Sequence, residues 1–195
     1  RLTTRILVAC SDRECRAEGI LDDVTFSTEL IRLVADRFEE NSISIESLLP
    51  LSHHMSEEGR DIVVKKAKQH RIFREKRLDL LEFASDLLRS WDIKYALIKN
   101  LDCSLALSSD LDILTLNASE ELRALEALDE EGFELFDFRL LAHPLKVMAV
   151  RKEDVNPRIS VDFYPEPLWI RKKVCDTDVI LCRRKLSKVE GVEVY

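Results

Sequence analysis

Two aspartates one residue apart, inside a run that otherwise reads as a strand, constrain this chain more than any other feature. In Ser109-Asp110-Leu111-Asp112-Ile113-Leu114 strand geometry alternates side chains between faces, so Asp110 and Asp112 point one way and Leu111 and Ile113 the other. Like charges side by side repel, and burying even one carboxylate is costly unless a positive charge accompanies it. A divalent cation held by oxygen ligands answers that demand. The same residues also fit a solvated edge strand, or a turn in which Asp110 caps the next element.

A third carboxylate bears on the choice. Asp162 lies in the apolar run Arg158-Ile159-Ser160-Val161-Asp162-Phe163-Tyr164, where a surface position at a sheet edge would accommodate it. Alternatively it meets Asp110 and Asp112 across the sheet. Three carboxylates converging from two neighbouring strands would hold a pair of Mg²⁺ ions, the arrangement used for in-line phosphoryl or nucleotidyl transfer.

The rest of the chain divides by periodicity. Phe26, Leu30, Ile31, Leu33, Val34 and Phe38 recur at helical spacing behind a Ser27 or Thr28 cap, which predicts a helix to about Glu40. A short helix over Ser42–Leu49 is expected to stop at Pro50, with His53 and His54 in a loop. Adjacent histidines face apart on a helix, so the pair reads as surface rather than as ligands. Two further helices are predicted, Glu57–His70 and Phe73–Trp91, the second carrying one apolar stripe through Leu80, Leu81, Ala84, Leu87, Leu88 and Trp91. Basic residues crowd this stretch: Arg60, Lys65, Lys66, Lys68, Arg71, Arg74, Lys76 and Arg77 against Asp61 and Glu75. They read as a solvated helix face, with a phosphate or nucleic-acid contact as the alternative.

After Trp91 the pattern turns to strands. Ile93–Lys99, Asp110–Leu116, Phe133–Leu141, Leu145–Val150, Arg158–Tyr164 and Val179–Cys182 are the expected strands. Asn100 to Leu107 reads as a turn and a short helix. Another helix runs from a Ser119 cap through Leu128 to Gly132, and a helical turn is expected over Trp169–Asp176. Arg5–Cys10 reads equally as a strand or a helical turn, Asn156-Pro157 as a turn, and His143 before Pro144 as a turn residue. Helices first and a mixed sheet after them make an α+β arrangement, with an N-terminal helical region over 1–91 and a core over 92–195.

Composition narrows the class. In 195 residues, 46% hydrophobic and 34% charged, there is enough apolar material for a sizeable core and too much for a disordered chain. A net charge of −7 argues against a surface that coats nucleic acid uniformly. Cys10, Cys15, Cys103, Cys175 and Cys182 are odd in number and form no C-x-x-C pair, so reduced thiols in a cytoplasmic protein are expected rather than zinc or disulfides. No run approaches the ~20 apolar residues of a membrane span. The chain opens at Arg1 and closes on the strand-like Val192-Glu193-Val194-Tyr195, and is expected to be a piece of something longer.

The residues from Tyr95 to Asp112, Tyr-Ala-Leu-Ile-Lys-Asn and then Ser-Ser-Asp-Leu-Asp-Ile-Leu, with Ile159-Ser160-Val161-Asp162-Phe163 downstream, resemble the core of the nucleotidyltransferase superfamily related to DNA polymerase β. The nearest subgroup is the uncharacterised prokaryotic and archaeal nucleotidyltransferases in which helices precede a strand ending in Lys-Gly. The resemblance covers about residues 25 to 195. It implies a mixed sheet with flanking helices, a further C-terminal helical part that this chain would lack, and a Mg²⁺- or Mn²⁺-dependent transfer of NMP from an NTP such as ATP to an acceptor hydroxyl.

By the same resemblance, Asp110 and Asp112 would bind the metals. Asp162 would share one and help deprotonate the acceptor, Ser109 would orient Asp110 or touch a phosphate, and Lys99 and Asn100 would form the phosphate turn. The family has glycine where this chain has Asn100, because glycine lets the backbone approach a triphosphate. That departure keeps open a second reading, a catalytically degenerate nucleotide-binding domain. A third, a glycosyltransferase holding a sugar nucleotide through Mn²⁺, would want a glycine-rich start, which the glycines at 19, 59, 132 and 191 do not provide. Acceptors in the superfamily include tRNA, proteins and small molecules. The basic groups Arg171-Lys172-Lys173, Arg183-Arg184-Lys185 and Lys188 read as solvated surface or as triphosphate or RNA contacts.

Overall fold

The computed structural model describes residues 25–40, 44–98, 110–137, 146–152, 159–165, 168–169, 172–173, 176–189 and 191–195. It is an α+β protein, and its described residues fall into two compact units, one ending at Arg74 and the other running from Glu75 to Tyr195. The readings of Arg5–Cys10, of the turn and short helix at 100–107, of 138–141, of His143-Pro144 and of Asn156-Pro157 lie outside the described residues.

The described residues of the first unit are mainly helical. Helix α1 (Thr28–Glu40) starts where the Ser27 hydroxyl accepts the Leu30 N–H at 3.3 Å, so that Ser27 is the cap of the two, Ser27 or Thr28, that the sequence offers. Its apolar face, Ile31, Val34, Ala35 and Phe38, packs with Phe26, Ile45, Leu48, Leu51, Met55, Val63 and Ala67 into one core. The helix expected to stop at Pro50 is instead a 3-10 helix over Ile45–His54 with Pro50 inside it and His53 and His54 in its last turn. The fixed φ of proline suits 3-10 geometry, and a short tight helix tolerates a missing N–H better than a long α-helix does.

The two helices predicted between Glu57 and Trp91 are one, α2 (Glu57–Ser90). No glycine or proline interrupts the join at Arg71-Ile72, so nothing there ends the helical hydrogen-bond ladder. Several of its basic residues are engaged within the first unit. Arg60 Nε donates to the Ser52 carbonyl at 3.3 Å, and Arg71 Nε and Arg74 Nη1 each donate to Glu46 at 3.1 Å. No described helix is long and apolar enough to cross a membrane.

The second unit is built on a five-stranded mixed sheet in the order β1-β2-β5-β4-β3. The strands are β1 (Tyr95–Leu97), β2 (Asp110–Thr115), β3 (Phe133–Asp137), β4 (Val147–Arg151) and β5 (Ser160–Tyr164). Only β2 and β5 run parallel; the other pairs are antiparallel. Leu111, Ile113, Val161, Phe163, Val147 and Ala149 share one face of the sheet and are buried. Each large one contributes roughly 1.5–3 kcal/mol of burial. On the β3 side of the sheet Phe83 of α2 stacks on Phe133 at 5.8 Å, with the Arg151 guanidinium 4.5 Å from the Phe83 ring centre.

Between β2 and β3 lies α3 (Ala118–Glu130), whose cap is the Asn117 side chain accepting from the Glu120 N–H, not Ser119 as expected. Asn117 is extended and stands one residue ahead of the first helical turn, which is the geometry a cap needs. Gly132 closes this helix at φ +82°, where a side chain would be strained.

Two other expectations change. In place of the helical turn expected over Trp169–Asp176, the described residues there form an antiparallel pair, β6 (Leu168–Trp169) with β7 (Lys172–Lys173). Val179–Cys182 is not a strand but belongs to helix α4 (Thr177–Arg183), which starts at Asp176. A four-residue apolar run does not by itself distinguish the two. A last hairpin, β8 (Ser187–Val189) with β9 (Val192–Val194), ends the chain, and the Leu97 N–H donates to the Tyr195 carbonyl at 2.5 Å.

Candidate metal centre

Register brings the three aspartates together. Along the parallel pair, Asp110 stands opposite Ser160, Asp112 opposite Asp162 and Leu114 opposite Tyr164. Alternation then places Asp110, Asp112, Ser160, Asp162 and Tyr164 on the face opposite the apolar one. One carboxylate oxygen from each of Asp110, Asp112 and Asp162 lies within 4.8 Å of the others. An octahedral Mg²⁺ with ligands at about 2.1 Å spans about 4.2 Å between opposite oxygens. The three carboxylates therefore come within a small side-chain adjustment of holding one ion, and this hard oxygen set suits Mg²⁺, Mn²⁺ or Ca²⁺.

Burial makes the arrangement demanding. Asp162 is 0% and Asp112 3% exposed, and unit charges about 4 Å apart repel by on the order of 4 kcal/mol at an effective dielectric of about 20. Part of this is offset by Lys146, just ahead of β4. Its ammonium is ion-paired with Asp162 Oδ2 and lies 4.0 Å from Asp110 Oδ2. Ser160 Oγ donates to the other oxygen, Asp162 Oδ1, at 3.3 Å. Burial, which Lys146 opposes and Asp110 and Asp112 reinforce, pushes the Asp162 carboxyl up to about 6.

Tyr164 completes the described shell. Its hydroxyl hydrogen-bonds the Asp112 carboxylate, and burial together with that neighbouring charge holds the phenol well above its ordinary value. From the other side, the Ile98 N–H donates to the Asp112 carbonyl at 2.9 Å, tying the end of β1 to the ligand strand.

Of the residues singled out in the sequence, Asp110, Asp112 and Asp162 come together, while Lys99, Asn100 and Ser109 lie outside the described residues. In the first unit the rings of His53 and His54 lie tilted at 44° to each other, with centres 3.9 Å apart. Near the C-terminus the Arg184 guanidinium sits 5.1 Å from the Tyr195 ring centre, and Lys188 pairs with Glu193 at 3.6 Å. Ser160, Tyr164 and Lys146 join the site without being singled out as site residues by the sequence pattern. The first two stand two residues either side of Asp162 and share its face by alternation. Lys146 carries no such mark, because its place depends on the β4–β5 register. No family model and no curated protein matches the chain.

Proposed function

We propose that this chain is a divalent-metal-dependent nucleotidyltransferase domain that moves NMP from an NTP onto a hydroxyl of an acceptor. The observation that carries the reading is the rung of Asp112 and Asp162 on parallel neighbouring strands, with Asp110 on the same face. Bound there, Mg²⁺ or Mn²⁺ would supply charge neutralisation for the triphosphate and the departing pyrophosphate. Asp110, with a side chain 32% exposed, presents the solvent-side ligand, and Asp112, oriented by Tyr164, presents a second. Full burial suits Asp162 to a ligand and counter-charge better than to a base that an incoming hydroxyl must reach.

The test is incubation of the protein with each α-labelled NTP, Mg²⁺ and a cell extract. Transfer of label to a macromolecule or small acceptor, lost in Asp112→Asn, is the expected result. Absence of both turnover and NTP binding would end the reading. Asn100 at the family's glycine position favours one alternative, a domain that binds NTP without transferring it. Calorimetry showing Mg²⁺-dependent NTP binding with no pyrophosphate release would select that alternative.

A further inference from the structure

We propose that Lys146 is a built-in competitor for the cation site, so that a divalent ion loads only by displacing its ammonium from Asp162. The inference rests on the metal reading of the triad and goes beyond it by assigning a residue the metal chemistry does not require. Both oxygens of Asp162 are engaged, Oδ1 by Ser160 and Oδ2 by Lys146. An ion entering the cluster must take one of them. The Lys146 side chain is 19% exposed and bridges toward Asp110 at 4.0 Å, so the ammonium stands within the cluster rather than on its rim.

The backbone fixes this placement. Val147 opposite Phe163 and Met148 opposite Asp162 set the alternation that turns Lys146, one residue ahead of β4, toward the carboxylate face. Lysine also suits the task chemically. It is a compact point charge on a flexible four-carbon stem, which can leave by rotating its own bonds, whereas an arginine fork binds carboxylates in a fixed two-pronged geometry. The ammonium thus keeps three clustered carboxylates tolerable without metal, and metal affinity is set by the exchange of one cation for another.

The experiment titrates the full chain with MnCl₂ alone, reading free Mn²⁺ by electron paramagnetic resonance, for the parent, Lys146→Met and Lys146→Arg. Lys146→Met is expected to bind Mn²⁺ about tenfold more tightly or better, with Lys146→Arg nearer the parent. A residue that only supported the fold would weaken binding when removed. A second measurement needs no variant. Amine acetylation read by mass spectrometry should modify Lys146 several-fold faster with saturating Mg²⁺ than without, while the exposed Lys65 and Lys68 stay constant. Equal or weaker Mn²⁺ binding by Lys146→Met, or acetylation of Lys146 indifferent to a Mg²⁺ ion that binds, overturns the competition and leaves the metal site standing. If neither parent nor Lys146→Met binds millimolar Mn²⁺, the metal reading falls and this inference with it.

Discussion

Asp112 and Asp162 face each other on one rung of two parallel strands, both almost wholly removed from solvent. A hydrophobic sheet gains nothing from such a pair. Each carboxylate loses hydration and each repels the other, and among the described residues the Lys146 ammonium lies against the cluster as a counter-charge.

Asp112→Asn should therefore separate function from folding. The amide keeps the shape and can still accept from Tyr164, but removes one like charge. The metal-free variant is expected to melt no lower than the parent, while Mn²⁺ affinity falls by about tenfold or more. Thermal melts and a Mn²⁺ titration on the same preparation check it. A variant that melts well below the parent would mean that Asp112 is held for stability.

The contribution of Asp162 to the stability of the metal-free protein should fall as pH rises through the carboxylate range. Asp162 has its folded pKa raised to about 6 from an ordinary 3.8, so between these values the folded state binds more protons than the unfolded one. The stabilisation conferred by the neutral form is complete below the unfolded value and is gone once pH has passed through about 6. Two pKa units correspond to on the order of 3 kcal/mol. Because other carboxylates titrate nearby, the measurement is the difference in urea unfolding between parent and Asp162→Asn across this range. A flat difference would refute the assignment.

How much of this was written in the sequence follows from the range of each interaction. The shared face of Asp110 and Asp112 is a local fact of strand alternation and is legible, as is the start of α1 at Ser27 or Thr28. That β2 and β5 lie side by side and parallel is a long-range fact which no period reveals, so the meeting with Asp162 had to rest on resemblance. Lys146 is hidden for the same reason, since a lysine second in the expected strand Leu145–Val150 looks like any charged residue at a strand end. Tyr164 and Ser160 were readable from their spacing to Asp162. The continuity of α2 through Arg71 follows from the absence of any helix breaker there, and the helical state of Val179–Cys182 follows from Asp176 and Asp178, a helix-start signal.

Tyr164→Phe should loosen the site without dismantling it. Removing the hydroxyl takes a donor from Asp112 and leaves the ring in place. Groups that orient a metal ligand typically matter by 10–100-fold in affinity, and the lower end of that range is expected here, with a stability change of about 1 kcal/mol. Mn²⁺ titration and urea unfolding read the two effects. Unchanged affinity would show that Asp112 is positioned by its strand alone.

The first unit offers a test independent of any ligand. The 3-10 helix begins at Ile45 with an N–H that has no partner within the helix. His70, from α2 and only 9% exposed, accepts it on Nδ1 at 3.0 Å, while Ser44 Oγ accepts the Glu46 N–H at 3.3 Å. His70→Leu keeps the bulk and deletes the acceptor, leaving a buried donor unsatisfied at a cost of about 1–3 kcal/mol. Hydrogen exchange at the Ile45 amide should accelerate in the variant by more than at other amides of the same helix. Slow exchange retained at Ile45 would mean that the amide is protected by burial rather than by the histidine.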